Sequence, residues 1–519
     1  MNAEMHMLTL FEKKRVMIIV PHEDDEINVA GSLLAQFKKR ISCDVVYLTN
    51  GEFYISAKRR QREAIRALKL FGVKRANIFF LGYPDVIDLK NGSAYLTDSN
   101  ECIQTIKKII LERRPDYIIT NDMDSHPNHK ELSVLLEEAI RELIVLDRDD
   151  DYYPILFKTL AYDLAFYAPE DYSIYNLKST VKENFENNTY FNWNLRLRLP
   201  VPRNARTKIL SQNIIFRAMW RHHSQGGSRY ASRIANSDKA YWVRRTDGKA
   251  YRATIIETSG ETKYLNDFSL YGTNKQLDFD YTRLWCPSQA DSEKKFKMIF
   301  EKKIDIEKII LYENALHGND ILKASVYFCN GFEAVVQDFN HNGGATIVCV
   351  PVQEKIEWIE FRIIESVGEY AGLNEIEVYE PTDCELWFIK LCVEDEYVYK
   401  YYVDENYVNL RVMAYDTHGN LLDLPQEKIH ICCITKGSEN EVPWRLNLKT
   451  IPKRKIVLKA YCDEWPEVYD TITIIKGKEK LGKIYEYIDM FLSYAYSGVD
   501  WFINEVYRIP ILVNKILRI

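Results

Sequence analysis

The sequence predicts a multidomain chain: an N-terminal α/β unit with an open parallel sheet, two antiparallel β-sandwiches, and a C-terminal amphipathic helical tail. Three observations carry this reading. From Val16 to about Leu146 short β-rich runs alternate with helical patterns. From about residue 255 the texture changes to brief runs of β-branched and aromatic residues separated by Gly, Asn and Asp. From about Gly477 apolar residues advance by threes and fours. A chain of 519 residues has room for about three or four domains of ordinary size.

The first region reads "VMIIVP" then a helix over Glu26 to Arg40, "CDVVYLTN" then Ala57 to Phe71, "NIFFLGYP" then Glu101 to Arg114, and "DYIITND" then His129 to Leu146. Continuous apolar strands alternating with helices imply a parallel sheet covered on both faces. Binding crevices of such sheets lie at the carboxyl ends of the strands. Here those ends are "PHEDDE", "TNGE", "GYPD" and "NDMDSHPNH". Residues 151 to 250 read as a continuation, with the helical "KILSQNIIFRAMWRHHSQ". The runs "KIILYENA", "KASVYFCNG", "ATIVCVPV", "WIEFRII" and "NEIEVYE" alternate with period 2, as in an antiparallel sandwich or jelly roll. "EPTDC" is a linker, after which "YVNLRVMAYD", "KIHICCIT" and "KIVLKAYC" begin a second, smaller sandwich. The boundaries expected are 1–255, 256–381, 382–476 and 477–519.

Composition excludes several classes. Net charge of -6 and a pI near 6.0 argue against a polyanion binder, so nucleic acid is not an expected partner. Ten cysteines without a CxxC pair, several within strand-like runs, read as reduced thiols of a cytoplasmic protein. The opening "MNAEMHMLTLFEKKR" has its charges after the apolar patch, the reverse of a secretory signal, and no apolar window is long enough for a conventional span. In the tail, the stripe from Ile484 to Ile516 is flanked by Tyr485, Tyr487, Trp501, Lys515 and Arg518. That pattern suits peripheral contact with a membrane interface, or self-association and docking on the chain's own surface.

The densest chemical signal is "VMIIVPHEDDEINVAGSLLAQF". Carboxylates and an imidazole directly behind a buried strand are costly unless compensated, and a divalent metal is the commonest compensator. Further ligands stand about a hundred residues on, where "NDMDSHPNHKE" places His126 and His129 three apart. If the two strands are neighbours, both loops open into one crevice and can supply a His, Asp, His set with an open position, as a catalytic zinc needs. Either segment alone reads equally as a surface loop or a helix cap. Asp85 in "GYPD" and Asp122 in "NDMD" stand at strand ends where they could bind sugar hydroxyls or cap turns.

These residues resemble the PIG-L/LmbE-like zinc-dependent de-N-acetylases. "PHEDDE" (Pro21 to Glu26) is similar to that family's PHPDDE-type motif and "HPNH" (His126 to His129) to its HPDH-type motif; "RRQREAIRALKLFGVKRANIFFLGYPD", "HHSQ" and "NSDKAYWVRR" extend the likeness over roughly residues 14 to 250. The resemblance implies a Rossmann-like domain in which His22, Asp25 and His129 bind Zn2+ or another divalent transition metal. It further implies Asp24 as general base, His126 as the group that stabilises or protonates the transition state, and Arg60 as a substrate contact. Glu23 replaces the family's proline and is expected to point to solvent. Asn128 replaces an aspartate and is expected still to accept a hydrogen bond. His222 and His223 read as packed or surface residues.

The segment around "IEKIILYENALHGNDILKASVYF" and "AGLNEIEVYE" resembles a discoidin-like, galactose-binding jelly roll, in which Trp285 or Tyr370 could stack on a sugar. Residues 382–476 resemble Ig-like sandwiches in strand rhythm only. The expectation is a zinc-dependent hydrolase that removes the N-acetyl group from a GlcNAc-type sugar in a glycan or lipid-linked saccharide, in the cytoplasm and peripherally membrane-associated. The alternative is a catalytically weak or inactive carbohydrate-binding or scaffolding protein.

Overall fold

The structure, a computed structural model, describes residues 14–38, 41–52, 55–85, 87–88, 93–94, 99–122, 126–146, 152–161, 197–199, 205, 213–227, 231, 239–270, 282–314, 316–341, 344–381, 386–394, 400–416, 421–422, 424–435, 438–477, 491, 495 and 498. The expected C-terminal helical tail lies almost wholly outside the described residues. Among the described residues no helix is long and apolar enough to cross a membrane.

Among the described residues seven strands build the sheet that positions the site: β1 (Arg15–Val20), β2 (Ser42–Thr49), β3 (Ile78–Tyr83), β4 (Tyr117–Asn121), β5 (Ile155–Thr159), β6 (Leu197–Leu199) and β7 (Lys239–Arg244). They form one sheet in the order β3-β2-β1-β4-β5-β7-β6. The first five are parallel, as the alternating pattern predicts, and β7 and β6 add an antiparallel edge. Among the described residues five helices accompany them: α1 (Asp25–Gln36), α2 (Ala57–Phe71), α3 (Ser99–Arg113), α4 (Pro127–Arg141) and the short α5 (Ile214–Met219).

The residues of β1 show why the sheet is covered on both faces. Val16, Ile18 and Val20 pack into a core with α1, α2 and α5, whereas Met17 and Ile19 belong to a second core with α3 and α4. Helix α2 buries Ala64, Ala67, Leu68 and Phe71 on one stripe and ends at Gly72, whose φ of 89° closes the helix in the left-handed region. The strand order reverses between β1 and β4, so the loops after them border the crevice where such sheets bind ligands.

The later residues are β-rich. Strands β8 (Thr254–Ile256), β9 (Lys295–Glu313), β10 (Ile321–Phe328), β11 (Glu333–Val336), β12 (Ala345–Ser366) and β13 (Leu373–Tyr379) pair antiparallel. β9 and β12 are long and bulged: Lys295–Ile299 pairs with Trp358–Arg362 beside β8, and Lys308–Tyr312 pairs with Ala345–Cys349 beside β13. They enclose a core of Trp285, Phe296, Leu311, Phe361 and Ile376.

Trp285 corrects the expectation of a sugar platform. It is fully buried, lies edge-on to Phe296 at 4.8 Å between centroids, and donates Nε1–H to Thr258 Oγ1 at 2.6 Å. Tyr370, by contrast, is 50% exposed. Trp285→Ala is expected to cost about 3–5 kcal/mol, the range for emptying a large aromatic site, read as a shift in the denaturant midpoint of this region. Beyond residue 385 two further sheets share a core that includes Leu391, Leu410, Leu458 and Ile474. The nine described cysteines are free thiols.

Candidate metal centre and active site

The site is assembled from two helix starts. The turn after β1 is closed by the N–H groups of Asp24 and Asp25, both donated to His22 O at 3.1 and 3.3 Å. It delivers Asp24 as the N-cap of α1, with Asp25 and Glu26 in the first turn, where the positive end of the helix dipole favours carboxylates. Across the crevice His126 is the N-cap of α4: its Nδ1 accepts the N–H of Asn128 at 3.3 Å, and Pro127 occupies the first helical position. His129, one turn in, is fully buried.

The two loops meet at Asp25. Its Oδ2 lies 3.1 Å from His22 Nδ1 and 3.3 Å from His129 Nε2. The His126 ring stands 4.7 Å from that of His129 and 4.9 Å from that of His22, and all three histidines offer ring nitrogens within 4.8 Å of one another. Ligands at about 2.0–2.2 Å around a tetrahedral ion stand about 3.3–3.5 Å apart. Asp25 Oδ2 stands at about that spacing from His22 and from His129, while the group whose ligand atoms all lie within 4.8 Å of one another is His22, His126 and His129; imidazoles beside a carboxylate suit a divalent transition ion in donor type.

Asn128 Oδ1 accepts from His22 Nε2 at 3.2 Å, as expected of the asparagine that replaces aspartate. Asp85, expected to meet a sugar, faces the same ring nitrogen at 3.5 Å. It therefore sits beside a ligand histidine and helps to orient it.

The electrostatics follow from this packing. Burial disfavours a charged His22, but Asp25 and Asp85 outweigh it and raise its pKa to about 9. Burial and the neighbouring His129 and His22 push His126 down to about 2, which keeps it neutral. Burial would raise Asp25, yet His129 and His22 hold it well below the usual carboxylate range. Asp24 moves the other way, raised by burial and by Asp25 against the pull of Arg60.

Arg60 is in the site, as expected, but its guanidinium is already engaged. Nη1 donates to Gly51 O at 2.9 Å, Nη2 reaches Asp24 Oδ1 at 3.4 Å, and Nε lies 3.4 Å from Glu23 Oε2. Glu23 corrects the expectation of a solvent-facing side chain: it is fully buried, and burial raises its pKa to about 7. It turns inward because Arg60 offers a cation and Gly51 leaves room, since a Cβ there would lie 2.4 Å from Glu23 Oε2.

Asp122 stands apart from the cluster. It is buried at the end of β4, where Oδ1 accepts from Ser133 Oγ at 3.0 Å and pairs with Lys158 Nζ at 3.0 Å. It thus ties β4 to α4 and β5. His222 is packed, its Nε2 2.9 Å from Glu26 Oε1. Nearby Ser224 Oγ donates to Glu63 Oε2 at 2.6 Å and Gln225 Nε2 to Glu23 O at 2.6 Å. The "HHSQ" segment is thereby pinned against α1 and α2. A buried Glu26 beside "EDD" and a histidine two hundred residues away carry no local signal of their pairing.

Histidines and carboxylates from two loops, converging at the switch point of a doubly wound sheet, define an α/β domain with a strand-end His/Asp centre. Comparison with known proteins places it more narrowly. Residues 17–140 match the family model described as PIG-L, GlcNAc-PI de-N-acetylase, and residues 249–379 match a domain of unknown function, DUF7402. A probable N-acetylglucosaminyl-phosphatidylinositol de-N-acetylase of Dictyostelium discoideum is 26% identical over 133 residues, 25% of this chain and 50% of that protein. The chain thus spans about half the length of the curated relative it matches. Similar solved structures include the A40926 pseudoaglycone deacetylase Dbv21 (17% identity, 45% of this chain and 98% of that one, TM-score 0.28). They also include the family 32 CBM of C. perfringens NanJ in complex with galactose (21% identity, 25% and 93%, TM-score 0.20). The N-terminal region carries a PIG-L domain, homologous to de-N-acetylases.

Proposed function

We propose that this chain is a metal-dependent hydrolase that removes the N-acetyl group from an N-acetylated amino sugar of GlcNAc type, within a glycan or a lipid-linked saccharide. The observation that carries the reading is the position of Asp25 Oδ2 between His22 Nδ1 and His129 Nε2, 3.1 and 3.3 Å away, with Asp24 and His126 beside it. His22, Asp25 and His129 would hold the ion, zinc or another divalent transition metal. Zinc, when bound, supplies Lewis acidity: it polarises an amide carbonyl and acidifies water at neutral pH.

Asp24, 16% exposed and hydrogen-bonded to Arg60, takes the proton of the attacking water and passes it to the leaving amine. His126 accepts a backbone N–H at Nδ1, so its neutral form carries the proton on Nε2 and can donate it in a hydrogen bond to the developing oxyanion. Arg60 holds Asp24 in place and presents its remaining edge to substrate. The division at residues 255, 381 and 476, the jelly-roll and Ig-like assignments of the later sheets, and an interfacial tail belong to the same proposal and favour a large or surface-held substrate.

The test is metal content together with acetate release from N-acetylglucosaminides. The purified chain is expected to hold a divalent ion at this centre and release acetate, and His129→Ala to lose both. A chain without metal that releases no acetate would favour the carbohydrate-binding alternative.

A further inference from the structure

Among the described residues two groups of side chains bring three metal-ligating atoms within 4.8 Å of one another. One is the histidine cluster above. The other, Glu313, Asp320 and His341, lies in the β-rich region and has no part in the chemistry just proposed. Three separate segments meet there: Glu313 ends β9, Asp320 immediately precedes β10, and His341 stands between β11 and β12. Glu313 is fully buried, and its Oε2 accepts the N–H of Ile321 at 3.0 Å. Oε1 is thereby directed at His341 Nδ1, 2.7 Å away, and that nitrogen lies 3.7 Å from Asp320 Oδ1. The backbone of Asp320 is bonded in both directions to Val367, at 2.9 and 2.8 Å. The Glu313 carboxylate and the Asp320 backbone are therefore held by the sheet, while the imidazole is 42% exposed and its neighbour Asn340 is bonded to Thr346 and Ala345.

An ion-paired trio is the simpler account, and Glu313 Oε1 and His341 Nδ1 are already hydrogen-bonded at 2.7 Å. Within it the buried Glu313 is met by one imidazole that is itself 42% exposed, and burial of a carboxylate is costly unless its charge is met. A divalent cation meets it with the histidine neutral. Donor separations around a tetrahedral ion are about 3.3–3.5 Å; Asp320 Oδ1 and His341 Nδ1 stand near this at 3.7 Å, and an ion would replace the 2.7 Å hydrogen bond between Glu313 and His341. An imidazole nitrogen with two carboxylates selects first-row transition ions over calcium or magnesium, which prefer all-oxygen sites.

We propose that Glu313, Asp320 and His341 form a second binding site for a divalent transition-metal ion such as zinc, which clips the β11–β12 loop onto the end of β9 and the start of β10. The experiment strips the full chain with chelator, returns Zn2+, desalts it and counts zinc per chain. Two equivalents are expected for the parent, and one for His341→Ala and for Asp320→Asn, with acetate release unchanged in both. In His129→Ala one equivalent and a zinc-dependent rise in Tm should persist, and both should vanish when His341→Ala is added.

A parent that retains no more zinc than His341→Ala overturns the second site. Two equivalents that survive both His341→Ala and Asp320→Asn overturn its assignment to these residues. Failure of the deacetylase reading shows separately, as absent acetate release or as zinc content that His129→Ala does not change.

Discussion

Asp24→Asn is expected to leave the metal in place and to slow acetate release by a factor on the order of 100 or more, the loss typical of a missing general base. The substitution preserves shape and the N-cap position before α1, and the three proposed ligands are other residues, so metal content should not change. What is lost is the ability of this side chain to take a proton from water and return it to the amine. Protonation of this carboxylate should give the parent an acid limb in its pH–rate profile, and the variant's residual rate should lack that limb. Turnover equal to the parent's, with the same acid limb, would remove Asp24 from the role.

How much of this site is legible without coordinates depends on how locally each residue's job is specified. His22, Asp25, His126 and His129 are legible because each is adjacent to a strand end or a helix start, and the alternation of elements says that those ends share one side of the sheet. The orientation of Glu23 is not legible, because it depends on Arg60 and Gly51, which belong to a different loop and helix. Asp85 and Asp122 are both strand-end aspartates in the sequence and look alike. Folding gives one to His22 and the other to Lys158, and only the neighbouring strands decide which.

The later region shows a different limit. "LNEIEVY" alternates apolar and polar residues, which reads as a strand with one wet face. All seven of its residues are buried. The polar face lies against residues 244 to 268 rather than water, and Glu375 and Glu377 are the groups that meet Arg244. Alternation reports the strand correctly but cannot tell solvent from a charged partner. Trp285 fails for a related reason: nothing local marks whether an aromatic residue between strands turns inward or outward.

Arg244 is where the second large effect is expected. It ends β7 of the N-terminal sheet and donates to Phe268 O at 2.9 Å, with its guanidinium 3.8 Å above the Phe268 ring. It lies 3.4 Å from Glu375, 3.3 Å from Glu377 and 3.5 Å from Glu137 on α4. Glu137 is in turn paired with Lys158, which also holds Asp122. This one buried cation thus joins β13 to the helix that begins at His126.

Arg244→Met keeps much of the volume but leaves the buried Glu375 and Glu377 without the arginine and Glu137 with Lys158 alone, and breaking a buried pair in this way costs about 3–5 kcal/mol. The pH dependence supplies the sign. Burial already raises Glu375 well above the ordinary value while Arg244 opposes it, so removal of the arginine raises it further. The folded variant then binds more protons than the unfolded chain between the ordinary glutamate pKa and this raised value, and its stability must fall as pH rises through that window. Denaturant unfolding of parent and variant at acidic and neutral pH should therefore show a deficit that is large at neutrality and shrinks on acidification. A deficit below about 1 kcal/mol at neutral pH, the size of an exposed pair, would mean that these charges are solvated and do not hold β13 against the N-terminal sheet.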